Sequence, residues 1–256
     1  MKLIIVGKGG SGKSTITALL AMGLVERGKK VIVVDADESN TGLHRLLGVE
    51  EPQELMENFG GKKAVGKKMW DAMGKGEKAN LFEDPWTMQD IPPGFVARHD
   101  GIALVQTGKV KHFGEGCACA MGALSREFLE NLILRPDEVC IVDTEAGVEH
   151  LGRGVAKGCD LILMVLDPSM DSLKLADKVV SMANEAQKPV EFVLNRADRR
   201  LTAEVVSRIH GGEMVAMIPP QDEILFSGLE GGRPPTDVKG VDILTDHLLR
   251  KMGECT

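Results

Sequence analysis

The chain has 256 residues, a formal net charge of -7, 43% hydrophobic residues and 27% charged residues. That length and balance fit one large globular α/β domain with a sizeable core. The acidic excess excludes the electrostatic footprint that nucleic acid or an anionic membrane surface would need, so neither is an expected partner.

Tyr is absent and aromatics total only 4%, so the core must be built from Leu, Ile, Val, Ala and the 13 Met. The N-terminus runs straight from a short apolar stretch into a Gly-rich loop, with no export signal. Five Cys, an odd number, then read as reduced thiols of a cytoplasmic protein. The apolar run at 161–166 is far short of the roughly 20 residues needed to span a bilayer.

In chain order, residues 3–6 form a continuous apolar run, as expected of a strand buried on both faces. The Gly-rich loop follows. Residues 14–27 then have helical apolar spacing, and Gly28 stops that helix. The run at 31–34 is the next buried strand and leads into Asp35 and Asp37, which completes a βαβ unit. Further strand-like runs lie at 102–105, 139–142, 161–166, 190–194 and 214–218. Helical segments fall at 121–134, 171–185, 203–209 and 241–252. This alternation predicts an α/β fold, a mostly parallel sheet flanked by helices on both faces. No internal repeat or linker divides the chain, so residues 1–256 are read as a single domain.

The stretch from 38 to 100 breaks the rhythm and carries no strand-like run. It reads as an irregular, Lys-rich insertion at about 50–100, with Lys62, Lys63, Lys67, Lys68, Lys75 and Lys78. Val65, Met69, Trp70 and Met73 sit at helical spacing within it. They predict a short amphipathic helix, either a solvated helix with one partly packed face or a docking surface.

Gly7 to Ser14 match G-x-x-x-x-G-K-[ST] between a strand and a helix. Gly9, Gly10, Ser11 and Gly12 let the backbone curl so that its N–H groups face phosphate oxygens, and Thr15 continues into the helix. The helix N-terminus adds its dipole. Lys13 places a compact charge on the β- and γ-phosphates, and the Ser14 hydroxyl ligates Mg²⁺. Residues 142–147 (VDTEAG) have the form of a buried strand ending in an Mg²⁺-holding aspartate, Asp143.

The second lysine, Lys8, makes Lys8-Gly9-Gly10-Ser11-Gly12-Lys13-Ser14 a deviant Walker A loop. It resembles the P-loop NTPase class of the nitrogenase iron protein, the Min and Par positioning ATPases and the arsenite-pump ATPases. That resemblance implies an ATPase that hydrolyses ATP to ADP and phosphate. It implies that Lys8 crosses a homodimer to stabilise charge on the partner's phosphates, and that Asp37 orients the attacking water. It implies that the Gly147 N–H senses the γ-phosphate, that Asn195 and Arg196 meet the adenine, and that Pro220 and Asp222 close the other side of the base. Asp35 is left open between a supporting role and a strand-end cap.

Cys117-Ala118-Cys119 precedes a predicted helix. Two thiolates so spaced can chelate a soft or borderline ion but fill only half of a four-coordinate site, which a two-fold dimer would complete. With Lys8–Ser14 and the stretch 143–154 (DTEAGVEHLGRG), the chain resembles the CooC-type ATPases, nickel-insertion accessory proteins of carbon monoxide dehydrogenase. The related accessory ATPase of acetyl-CoA synthase shares these features. The implied function is a metallochaperone holding Ni²⁺ or Zn²⁺ at Cys117 and Cys119 across a homodimer, with apo carbon monoxide dehydrogenase as client. The alternatives are a positioning or partition ATPase switch and an iron–sulfur electron-donating ATPase. In the iron proteins the second cluster cysteine falls where this chain has His150, which reads as a structural histidine. Cys140 and Cys159 read as small core residues, and Cys255 as part of a frayed tail.

Overall fold

The computed structural model describes residues 1–77, 79–110 and 119–253. β1 (Lys2–Gly7), α1 (Lys13–Glu26) and β2 (Lys30–Asp35) come first. The chain continues through α2 (Leu43–Leu47), α3 (Leu55–Asn58), α4 (Gly61–Gly74), β3 (Trp86–Thr87), β4 (Ala97–His99) and β5 (Ile102–Gln106). Next come α5 (Cys119–Asn131), β6 (Leu132–Ile133), β7 (Glu138–Asp143), α6 (Glu149–Gly152) and β8 (Leu161–Leu166). The last are α7 (Met170–Ala186), β9 (Val190–Asn195), α8 (Arg199–Val206), β10 (Glu213–Ile218), α9 (Asp222–Glu230) and α10 (Val241–Lys251).

Eight strands form one sheet in the order β10-β9-β8-β1-β7-β2-β5-β4, with every pair parallel except the edge pair β4–β5. The central strands read as unbroken apolar runs because helices cover both faces, which removes the polar alternation of a half-exposed strand. On one face α1 and α10 supply Ile16, Leu20, Leu244 and Leu248 to a core with Leu3, Ile5 and Val33. On the other, α5 and α7 supply Met121, Phe128, Ala176 and Val179 to a core with Ile4, Ile32 and Met164. α1 is buried almost all round because α10 packs on its outer side: a Cβ at Gly23 would lie 2.7 Å from Thr245 Oγ1. Among the described residues, no helix is long and apolar enough to cross a membrane.

The insertion departs from expectation. It holds α2, α3 and α4, and also two strands where none was expected: β3, which pairs with β6, and β4, which closes one sheet edge. Strands of two and three residues are too short for a period-2 pattern to register in sequence. The insertion is anchored by Phe59, Phe82 and Trp86, whose rings meet one another at centroid distances of 4.9–6.1 Å, and Phe82 meets Phe128 of α5 at 6.1 Å. α4 is the helix expected from Val65, Met69, Trp70 and Met73. Val65 is fully buried, whereas Trp70 and Met73 remain 71% and 66% exposed. α9 was not anticipated; none of its residues is buried, so no packed stripe marks it.

Candidate nucleotide site

The loop from Lys8 to Gly12 turns β1 into α1 at the carboxyl edge of the sheet. Gly12 has φ +97, and a Cβ there would stand 2.3 Å from Asn195 Nδ2, so only glycine fits. Lys13 is 7% exposed. Burial lowers its pKa, while Asp143, Asp37 and Glu145 pull it back up. It sits in a cavity of about 510 Å³ lined by Gly9, Gly10, Gly12, Ser14 and Thr15, with Asp37, Glu145, Arg45 and Arg196 around the rim. The buried ammonium donates to the Lys8 carbonyl at 3.4 Å, and a buried cation at a helix N-terminus suits a polyphosphate. The Ser11 hydroxyl is fully buried without a partner among the described residues, and its N–H donates to the Lys8 carbonyl at 3.1 Å.

Ser14 Oγ donates to Asp143 Oδ2 at 2.6 Å, and Thr17 Oγ1 donates to Asp143 Oδ1 at 3.1 Å. Asn40 Nδ2 donates to Ser14 Oγ at 3.0 Å. Burial pushes the Asp143 carboxyl up to about 6, against the pull of Ser14, Lys13 and Thr17. A buried carboxylate beside hydroxyl oxygens is a hard-oxygen set, and it fits Mg²⁺ held by Ser14 and Asp143, with phosphate oxygens completing the shell. Thr17 and Asn40 were missed; Thr17 could have been found, because it shares a helix face with Ser14 at i+3.

Asp37 lines the cavity and is held by its own loop. Its Oδ1 accepts from Ser39 N at 2.9 Å, Asn40 N at 3.1 Å and Ser39 Oγ at 2.7 Å. Asp35 caps the end of β2 and pairs with Lys109. Its Oδ1 accepts from Asp37 N at 3.1 Å, and its Oδ2 accepts from Lys109 Nζ at 2.6 Å. Burial pushes its carboxyl up, and Lys109 pulls it down. Gly147 has φ +101, and its N–H donates to the Gly7 carbonyl at 3.1 Å, so the amide expected to sense phosphate is engaged by the loop.

Lys8 is bound within its own chain. Its Nζ lies 2.9 Å from Asp167 Oδ2 and 3.0 Å from Ser169 Oγ. Burial works to raise the Asp167 pKa, but hydrogen bonds from Ser169, Lys8 and Ser172 hold it below the usual value. Asp167 and Ser169 carry no motif that sequence reading could have used.

On the base side, Asn195 Nδ2 donates to the Ser11 carbonyl at 2.8 Å, and Arg196 Nη1 donates to the Gly10 carbonyl at 2.9 Å. Asn195, Arg196 and Pro220 line a narrow cleft beside Thr15 together with Gln221 and Leu225. Asp222 does not line it. It opens α9 with an exposed side chain, because the helix starts at that residue and turns it outward.

Cys119 is the exposed first residue of α5, and Cys117 lies outside the described residues. Cys140 and Cys159 are buried as expected, and burial pushes the Cys140 thiol up to about 12. Cys255 lies outside the described residues. His150 is 3% exposed, neither ring nitrogen has a partner among the described residues, and burial lowers its pKa to about 4.

A glycine loop between a parallel strand and a helix, a buried lysine and a Ser–Asp cation site define a P-loop nucleotide-binding domain. The chain belongs to the CobQ/CobB/MinD/ParA nucleotide binding domain family, whose profile matches residues 2–234. It is 43% identical to an uncharacterized ATP-binding protein of Methanocaldococcus jannaschii, over 90% of this chain and 92% of the relative. It is 34% identical to the carbon monoxide dehydrogenase accessory protein CooC of Rhodospirillum rubrum, over 78% of this chain and 80% of that protein. Its fold is that of the septum site-determining protein MinD of Pyrococcus horikoshii, solved with Mg-ADP. The TM-score is 0.71 at 20% identity, covering 98% of this chain and 97% of that one.

Proposed function

We propose that this chain is an ATP-hydrolysing maturation factor that inserts nickel into the active-site cluster of carbon monoxide dehydrogenase or acetyl-CoA synthase. It works as a nucleotide-dependent homodimer in the cytoplasm, with the metal cargo, Ni²⁺ or Zn²⁺, shared between Cys117 and Cys119 of the two copies. One observation supports this above the others. Cys119 opens α5 at the carboxyl edge of the sheet, the edge that also bears the phosphate loop. The likeness to the CooC protein points the same way.

In this reading Lys13 and the loop amides bind the β- and γ-phosphates, Ser14 and Asp143 hold Mg²⁺, and Asp37 orients the attacking water. Asn195, Arg196 and Pro220 flank the base. Lys8 leaves Asp167 to reach the partner's phosphates. When bound, Mg²⁺ supplies charge neutralisation at the transferring phosphoryl group. A positioning-type switch is less well supported. The apolar face of α10 (Val241, Leu244, Leu248) is buried against α1 and is not offered to a membrane.

The test is anaerobic nickel titration of the reduced protein, with and without ATP, while solution mass is followed. Wild type is expected to bind one ion per dimer. Stoichiometric nickel binding by a Cys117→Ser/Cys119→Ser dimer would sink the reading, and an iron–sulfur absorption band would favour the electron-donor alternative.

A further inference from the structure

We infer that the side-chain amide of Gln221 reads the nucleobase, pairing with N7 and the exocyclic amine of adenine, and so selects ATP over nucleotides of the 6-oxo purines; the inference rests on the ATP-hydrolysing reading above.

The cleft on the base side holds about 80 Å³ and shares Thr15 and Arg196 with the phosphate cavity. A nucleotide with its phosphates on the loop therefore has this cleft within reach of its base. Ile16, Pro219, Pro220, Ile224 and Leu225 give the cleft largely apolar walls, which suit a flat ring. Apolar walls bind a ring without identifying it. Identification needs polar groups placed against its edge.

Two of the polar side chains at the cleft are already committed. Asn195 Nδ2 donates to the Ser11 carbonyl at 2.8 Å and Arg196 Nη1 to the Gly10 carbonyl at 2.9 Å, so both hold the phosphate loop. Gln221 is different. Its Nε2 is buried and has no hydrogen-bond partner among the described residues. A buried donor left unpaired has lost its water and gained no bond, so it is costly unless a ligand supplies the acceptor.

The local structure accounts for the free amide. Pro219 and Pro220 restrict the backbone on the approach. Gln221 then sits extended, at φ -138 and ψ 122, as the N-cap of α9. A Ser, Thr, Asp or Asn there would turn its oxygen back onto the free N–H groups of the first helical turn. Gln221 makes no such bond, and it lines the cleft instead.

A carboxamide presents one donor and one acceptor side by side. Adenine offers the matching pair on its N7 edge: Nε2 donates to N7, and Oε1 accepts from the N6 amine. Guanine and hypoxanthine present two acceptors on that edge, N7 and O6. No orientation of the amide satisfies both, so the 6-oxo purines are disfavoured.

The test is calorimetric titration of the reduced full-length protein with Mg-ADP, Mg-7-deaza-ADP, Mg-IDP and Mg-pyrophosphate. Wild type is expected to bind ADP about 5- to 150-fold more tightly than IDP, the range for one two-bond base contact. It is expected to bind ADP at least about fivefold more tightly than 7-deaza-ADP, which keeps the ring but leaves the buried donor unpaired. Gln221→Leu is expected to bring both ratios near unity, with pyrophosphate affinity within about twofold of wild type. Should that variant not fold, Gln221→Glu, which keeps the shape and removes the donor, decides through the 7-deaza ratio, expected at unity or below. A wild-type ratio of unity for either analogue overturns the inference, as does a folded variant with wild-type ratios. A variant that loses pyrophosphate together with ADP marks a structural role and overturns it too. Failure of wild type to turn over ATP would instead fail the ATP-hydrolysing reading while these binding ratios stay measurable, so the two failures are distinguishable.

Discussion

Lys8 Nζ lies 2.9 Å from Asp167 Oδ2 of its own chain, so the lysine proposed to act across a dimer is held at home. The pair is partly exposed, with 33% and 18% of the side chains accessible, and is worth at most about 1 kcal/mol. Two such pairs break per homodimer, so Asp167→Asn should tighten the Mg-ATP-bound dimer by no more than about thirtyfold, measured by sedimentation velocity. Lys8→Ala should leave ADP binding intact and lower kcat for ATP hydrolysis by about 10³-fold, as expected on removing a cation supplied in trans. Unchanged kcat would remove Lys8 from the mechanism.

Lys13 is penalised by burial when no phosphate is present. Lys13→Met should keep or raise the melting temperature of the nucleotide-free protein. The same variant should lose the stabilisation by Mg-ADP, which for wild type reaches about 2.7 kcal/mol at a hundredfold excess over Kd. Paired thermal melts with and without Mg-ADP check both halves.

His150 supplies a pH signature. Its pKa is lowered to about 4 in the folded chain from an ordinary 6.5. Above about 6.5 both states are neutral and no linkage acts. As pH falls from about 6.5 to about 4, the unfolded chain takes up a proton that the folded chain refuses, so stability falls, by at most about 3 kcal/mol. His150→Leu should lose this part of the acid sensitivity. It should also gain stability at pH 7, because two unpartnered nitrogens leave the interior. Denaturant midpoints at about pH 4 and about pH 7, the two ends of that window, compare the two proteins.

Gly147 combines φ +101 with a Cβ position 2.2 Å from Glu149 Oε2. Gly147→Ala should cost about 1 kcal/mol of stability from the left-handed backbone alone. Its larger effect should fall on discrimination. The ratio of affinities for the ATP analogue and for ADP should drop toward unity, read by calorimetric titration. A variant with wild-type discrimination would show that this amide does not sense the γ-phosphate.

Much of this was legible without coordinates. The buried strands were visible because a sheet covered on both faces imposes uninterrupted apolar runs, and 161–166 was read to the residue. The phosphate loop was visible because its chemistry depends on contiguous residues: glycines for the curl, Lys13 for charge, Ser14 for the cation. The strands β3 and β4 and the helix α9 were not visible, since two or three residues hold no period and an unburied helix shows no packed stripe.

The sequence by itself therefore determined the order of the buried central strands, the glycine-rich loop between the first strand and helix, and the presence of a second lysine in it. Only the tertiary structure decided what those residues touch. Ser169 meets Lys8, Lys109 meets Asp35, and Arg153 meets Glu38 across separations of 161, 74 and 115 residues. The physical reason is that such partners are chosen by which strand ends a parallel sheet brings to one edge, and no local pattern in the chain records that choice.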